Sequence, residues 1–396
     1  MKKTLLIIMA VTLSSVTAFA QSLTEGFFRV QNSGSGRYLY VRDCTGDVST
    51  LGADMGAIEL WSGLDNAISD PSSVILMIKS GTQWDMQSQA TGVNKLTGRL
   101  LNVSDDGEYC QLYNSGQYLY EVGVSDFNPD QGILGAKTNK EMPGMTQYRL
   151  WKVYPVSSSS DNYFGFSPTV ETAGKKYASF YADFAYEPKD AVKTWYVKSV
   201  DKENSIAVIA EISGIVAKKQ AVFVECPAAS ASDNKIDLTT ANGNAAVGNK
   251  LTGVFFSNAD RSGKSHYGYD YPAVVVFDKT TMRVLGTDNE GNLAFVTSGS
   301  DVVKLNAKIN NKWQDVDCIL HNKAYLSVDA DCPETLRVMD EAEYEEYIAS
   351  GIIDVKSNSS YTNNVIYDTC GRIVGSSKES LTNGIYIING KKIMIK

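Results

Sequence analysis

The sequence holds 396 residues with a net charge of −8, 22 tyrosines, 32 glycines and only two histidines. That length accommodates two or three domains with substantial cores. The acidic balance argues against nucleic-acid backbones and anionic membrane surfaces as partners.

Met1–Ala20 reads as a secretory signal peptide. Lys2 and Lys3 form the basic start, Leu5–Val11 with its flanks the apolar core, and Ala18-Phe19-Ala20 the small-residue cleavage motif. Cleavage before Gln21 removes two lysines and no acidic residue, which moves the charge from −8 to −10. No cysteine follows the cleavage point, so no lipoprotein anchor is indicated. No later apolar run approaches the ~18 residues needed to span a bilayer. The expected address is extracellular or cell-surface, with the periplasm as the alternative.

Phe27–Val41, FFRVQNSGSGRYLYV, has the alternation and turn chemistry of a β-hairpin. Tyr109–Val122, YCQLYNSGQYLYEV, repeats it, and Ile75–Gln87 is a weaker copy. Tyr38, Trp84 and Tyr118 follow the turn glycines Gly36, Gly81 and Gly116. Ile58-Glu59-Leu60-Trp61 and Tyr148-Arg149-Leu150-Trp151 read as matching repeat ends. Three such units share one core more readily than each buries a face alone, which points to a β-trefoil over 21–156. This region resembles ricin-type trefoil modules. In those lectins an Asp and an aromatic residue hold the sugar, and a Gln-x-Trp motif supports the fold. Gln-x-Trp is absent here, and the resemblance leaves one lectin-like pair, Trp84 with Asp85. A Trp plugging the barrel is the alternative reading of Trp84.

Ser157–Asp161, SSSSD, reads as a domain boundary. From Asn162 onward, short runs rich in Val, Ile, Tyr and Phe alternate with Gly, Pro, Asn and Asp. The runs at Leu251–Ser257, Ala273–Asp278, Met282–Leu285, Leu293–Val296 and Lys323–Val328 continue the pattern. An antiparallel β-sandwich over 162–335 follows. Tyr177–Ala185, Trp195–Val200 and Asn322–Leu326 resemble a β-domain common in secreted proteins of Bacteroidales. Residues 336–364 supply a helix, around Glu341–Ala349, and a polar linker.

Residues 365–396 read as a C-terminal β tail of two hairpins, turning at Cys370-Gly371 and Asn389-Gly390. Ile366-Tyr367-Asp368, Gly371-Arg372, Gly384–Ile387, Asn389–Lys392 and Lys396 resemble a type IX secretion sorting domain of the Bacteroidota. The segment is shorter than such domains and lacks their Pro-rich opening.

Six cysteines, Cys44, Cys110, Cys226, Cys318, Cys332 and Cys370, permit disulfides outside the cytoplasm. Cys318 with Cys332 is the most local pair, and buried thiols packed as small hydrophobes are the alternative. His266 and His321 lack the partners of a catalytic triad, and no G-x-S-x-G, H-E-x-x-H or P-loop motif occurs. Asp288–Gly291 and Asp329–Asp331 look like calcium loops but lack the ligand spacing. His266-Tyr267-Gly268-Tyr269-Asp270-Tyr271 is a second candidate binding stretch, because tyrosines with apolar faces and polar tips suit sugars or proteins.

The sequence therefore describes an all-β chain: N-terminal β-trefoil, central antiparallel β-sandwich and short C-terminal β tail. Its expected role is non-catalytic binding at or beyond the cell surface, of a carbohydrate through the trefoil. A secreted glycoside hydrolase or other carboxylate hydrolase, and a protein-interaction or structural surface protein, are the alternatives. Ligand-binding candidates are Trp84, Asp85, His266, Tyr267, Tyr269 and Tyr271. No catalytic residue, metal ligand or cofactor is assigned. The expected partner is a glycan or a surface protein, not a nucleic acid, and the mature chain has no integral membrane segment.

Overall fold

The computed structural model describes residues 23–41, 58–61, 67–89, 102–106, 109–114, 116–121, 136–139, 144, 146–254, 275–309, 312–320, 322–350, 365–375, 381–388 and 391–395. The architecture is all-β: a trefoil, a sandwich and a small C-terminal sheet.

Among the described residues the trefoil holds ten strands: β1 (Gly26–Asn32), β2 (Tyr38–Val41), β3 (Ile58–Trp61), β4 (Ile75–Ser80), β5 (Gln83–Ser88), β6 (Asn102–Asp106), β7 (Tyr109–Asn114), β8 (Gln117–Glu121), β9 (Ala136–Asn139) and β10 (Leu150–Pro155). Three hairpins, β1/β2, β4/β5 and β7/β8, supply the threefold repeat. Their turns need a left-handed residue, and Gly36, Gly81 and Gly116 sit at φ of 72°, 63° and 74°. β10 pairs with both β1 and β7 and so ties the first repeat to the third. Val30, Leu39, Ile75, Met77, Leu112, Leu119 and Trp151 fill the shared core.

The two Leu-Trp endings are not equivalent. Ile58–Trp61 is β3, whose described pairing is to β2. Leu150-Trp151 opens β10, and the Trp151 indole donates to the Leu119 carbonyl at 3.0 Å inside the core. The counterpart of β3 in the third repeat is β9, which pairs with β8.

β1 has two buried faces. Phe28 and Val30 point into the trefoil core, while Phe27 joins the core of the sandwich and packs edge-on to Phe184 at 6.1 Å. Arg29 shares the Phe27 face and is fully buried. Its guanidinium donates to the Ser73 hydroxyl, to the Ala67, Ile68 and Tyr163 carbonyls and to the Asn162 side-chain oxygen. Burial pulls its pKa down to about 10, so it stays charged at neutral pH. The serine-rich segment is also held, since Ser158 N–H donates to Asp237 and Lys235 donates to the Ser158 carbonyl.

The next fifteen strands are β11 (Phe164–Gly165), β12 (Val170–Thr172), β13 (Lys175–Phe180), β14 (Ala185–Pro188), β15 (Lys193–Asp201), β16 (Ile206–Glu211), β17 (Val222–Cys226), β18 (Lys235–Thr239), β19 (Leu251–Gly253), β20 (Met282–Thr287), β21 (Leu293–Val296), β22 (Val302–Ile309), β23 (Lys312–Ile319), β24 (Ala324–Ser327) and β25 (Leu336–Asp340). A ten-stranded sheet runs β12-β13-β17-β15-β16-β25-β21-β20-β24-β19, and a smaller one runs β11-β18-β14. Phe164, Phe166, Phe180, Phe184 and Tyr186 form an aromatic core with the smaller sheet. Tyr177, Val197, Ile209 and Phe223 from one half of the large sheet meet Leu285, Phe295, Leu326 and Leu336 from the other.

Its described ladders are antiparallel except β16 with β25, which run parallel. The β22/β23 hairpin is an element the sequence reading omitted, although Val303, Leu305, Ala307 and Ile309 alternate cleanly. Val276 makes an isolated bridge to Cys318 instead of the strand expected at Ala273–Asp278.

β25 runs directly into a helix. Asp340 caps helix α1 (Glu341–Ala349), accepting from Glu343 N–H while the Glu343 carboxylate accepts from Asp340 N–H. The tail forms β26 (Ile366–Asp368), β27 (Ile373–Gly375), β28 (Gly384–Ile388) and β29 (Lys391–Ile395). β26 pairs with β28, so the two expected hairpins fuse into one four-stranded sheet over Ile366, Tyr386 and Ile388.

Cys226, Cys318, Cys332 and Cys370 are free thiols, so the candidate Cys318–Cys332 bridge is not formed and the alternative of buried thiols holds for that pair. Cys318 lies on β23, while Cys332 packs in the sandwich core and lends its carbonyl to Arg283.

Candidate functional site

Trp84 and Asp85 lie on consecutive positions of β5 and so face opposite sides. Trp84 is 7% exposed and belongs to the trefoil core, with the Lys79 ammonium 5.9 Å from its ring centre. Asp85 is half-buried on the other side and accepts from Gln87 at 3.0 Å. The fold does not bring this pair together around one sugar ring. His266, Tyr267, Tyr269 and Tyr271 lie outside the described residues, as does His321.

The registers Lys79↔Trp84 and Tyr113↔Tyr118 place Trp84 and Tyr118 at the same step from their turns, while Gln31↔Tyr38 closes a longer turn. Their facing differs. In the third hairpin Leu112 and Leu119 point inward, leaving Tyr113 and Tyr118 outward. In the middle hairpin Met77, Trp84 and Met86 are the inward set. A phase change of one residue turns the aromatic from surface to core.

The third hairpin therefore carries the aromatic surface. The Tyr113 and Tyr118 rings stand 5.7 Å apart, both half-buried. The Arg149 guanidinium lies over the Tyr118 ring at 4.8 Å. Two phenol rings and a guanidinium thus meet on a half-buried patch of the outer face, where Arg149 Nε and the neighbouring Tyr120 are fully buried. The sequence signal was the repeated Ser-Gly-x-Tyr turn. What it lacked was the inward or outward sense of each copy.

The buried carboxylates are dispersed. Glu121 accepts from the Ser35 hydroxyl, and burial raises its pKa despite that bond and Arg37. Asp183 is raised by burial, with Lys219 at 3.5 Å and Lys218 opposing the shift. Asp301 accepts from Ser179 at 2.5 Å and pairs with Lys323 at 3.3 Å. Each has its own hydroxyl or lysine partner, and these three do not form a carboxylate pair. Asp288 accepts the N–H groups of Glu290 and Asn292, which is turn chemistry. Asp329 and Asp331 both pair with Lys202.

A second concave place lies where α1 crosses the parallel strands. Tyr344 and Tyr347 of α1 cover Ile206, Val208 and Met339. The helix is nine residues long and covers only part of that face. Beyond it opens a cleft of about 210 Å³, lined by Glu203, Asn204, Ser205, Ile206, Thr335, Arg337, Met339 and Tyr347. Neither tool of sequence reading, motif or periodicity, marks this cleft, because its walls are 134 positions apart at Glu203 and Arg337.

No helix among the described residues is long and apolar enough to cross a membrane. No protein-family model matches the chain, and no curated protein matches it. Among solved structures the chain is similar to a designed three-fold symmetric protein, ThreeFoil, at 14% identity and a TM-score of 0.24, covering 33% of this chain and 99% of that one. It is also similar to a mosquitocidal holotoxin at 7% identity and a TM-score of 0.27, covering 77% of this chain but only 34% of the toxin.

Proposed function

We propose that the chain is an exported, non-catalytic binding protein that holds a carbohydrate on its trefoil. The observation that supports this reading is the outward patch of Tyr113, Tyr118 and Arg149. Ring faces take up the apolar side of a sugar, while hydroxyl and guanidinium groups exchange hydrogen bonds with its rim. The patch replaces Trp84 and Asp85 as the trefoil's binding candidate. The test is a glycan array with the full chain, followed by Tyr118→Ala. Saturable binding lost in that variant, with unchanged melting, supports the reading. A blank array, or binding indifferent to Tyr118→Ala, overturns it.

In this reading residues 21–156 are the binding domain, 162–335 an exported β-module of the kind found in Bacteroidales, and 365–396 a type IX sorting signal. The tail has a small core of its own and leaves Ile373 and Ile385 exposed, which suits a segment read by another protein. Deleting Val365–Lys396 should retain the protein in the cell envelope. Unchanged release would remove the sorting role and leave the binding role standing.

A further inference from the structure

The cleft beside α1 has a charge pattern that the trefoil reading does not use. Ile206 and Arg337 are register partners on the parallel pair, and Arg337 shares its face with Met339 two positions on. Ile206 and Met339 are almost wholly buried and make an apolar floor. Arg337 stands exposed at the uncovered end of this floor, with no hydrogen bond or ion pair to its guanidinium among the described residues; Asp288 is within its electrostatic reach. Glu203 reaches the cleft from the β15–β16 turn and forms no ion pair with Arg337. The turn is held in place, because Asp201 accepts from the Asn204 side chain at 2.6 Å and from the Tyr344 hydroxyl at 3.0 Å. Arg337 N–H in turn donates to the Ser205 carbonyl at 2.9 Å. The two opposite charges are thus carried on backbone that is locked together, with the half-buried Tyr347 ring beside them.

From this geometry we infer that the cleft binds a small zwitterion, a free α-amino acid with an apolar side chain. Its carboxylate meets the planar donor fork of Arg337, the bidentate match that guanidinium favours. Its ammonium meets Glu203. Its side chain lies against the partly exposed ring of Tyr347. A neutral sugar would cover both charges without returning a countercharge to either. A zwitterion neutralises both as it desolvates them.

The test is calorimetric titration of the full chain with L-leucine, then with N-acetyl-L-leucine and L-leucinamide, which each lack one charge. Saturable binding of leucine is expected, weakened about tenfold or more by either cap, as for loss of a charge-assisted hydrogen bond. Arg337→Gln and Glu203→Gln should each reproduce that loss with unchanged melting, since both side chains are exposed. No binding at millimolar leucine, equal binding of the capped analogues, or binding that survives both variants overturns the inference. Glycan binding at the trefoil is independent of all three results.

Discussion

Arg29 and Asn162 lie 133 positions apart and meet at 2.8 Å, the guanidinium of a trefoil strand donating to a side-chain carbonyl at the start of the sandwich. Asn162 is itself fixed, because its amide donates to the Tyr154 and Pro155 carbonyls at 2.9 Å each. A charge buried this completely is tolerated only because its donors all find acceptors. The contact makes the serine-rich segment a pinned corner, not a free tether.

Arg29→Met should therefore lower stability by about 1–3 kcal/mol for each buried acceptor that it leaves without a donor. Asn162→Ala should cost about 1–3 kcal/mol. The double variant should fall short of the sum, because both changes break the same contacts. Urea melts of the four proteins measure this. Additive losses would mean that the two residues act separately.

Trp84→Ala should destabilise the fold by about 3–5 kcal/mol, as large-to-small changes in a core do. Tyr118→Ala removes a half-exposed ring and should cost much less. Thermal melts followed by circular dichroism separate the two. Equal losses would contradict the opposite facing of these residues.

Asp183 governs part of the pH response. Its folded-state pKa is raised, first by burial. A carboxyl raised in this way contributes stability below its unfolded pKa, near 3.9, and loses that contribution as pH rises through the folded value. Asp183→Asn has no proton to lose there. Relative to the parent, this variant should gain stability as pH climbs from about 4 through the folded pKa of Asp183. Parallel pH profiles for parent and variant would show that Lys219 fully offsets the burial.

The thiols should differ sharply in reactivity. Burial pushes Cys226 up to about 12 and Cys318 up to about 11, while Cys370 is exposed. Only the thiolate attacks a disulfide reagent. In a Cys44→Ser background at neutral pH, Cys370 should react first, half-buried Cys110 more slowly, and Cys226, Cys318 and Cys332 only on unfolding. Reductant should leave the melting temperature unchanged. Fast labelling of Cys226 in the folded chain would contradict its packing.

The local parts of this fold were legible in the chain. Gly36, Gly81 and Gly116 mark the three trefoil hairpins because their turns demand positive φ, a constraint that acts within a few residues. Alternation of apolar and polar residues announced most strands, because side chains on a strand change face at every step. The capping box of α1 lies within four consecutive residues and was open to the same kind of reading. The Asp288 turn was likewise written in its own few residues.

Tertiary structure decided what depends on distant partners. Trp84 and Tyr118 share a turn register, yet the space available in the trefoil core sent one inward and left the other outward. Nothing near Arg29 in the sequence names Asn162, since only the docked sandwich supplies that oxygen. The parallel pairing of β16 with β25 joins strands separated by more than a hundred residues and gives the α1 cleft its floor. Periodicity records which residues can share a face. Which faces meet is settled by the packing of volume and the pairing of buried polar groups, and both are properties of the whole folded chain.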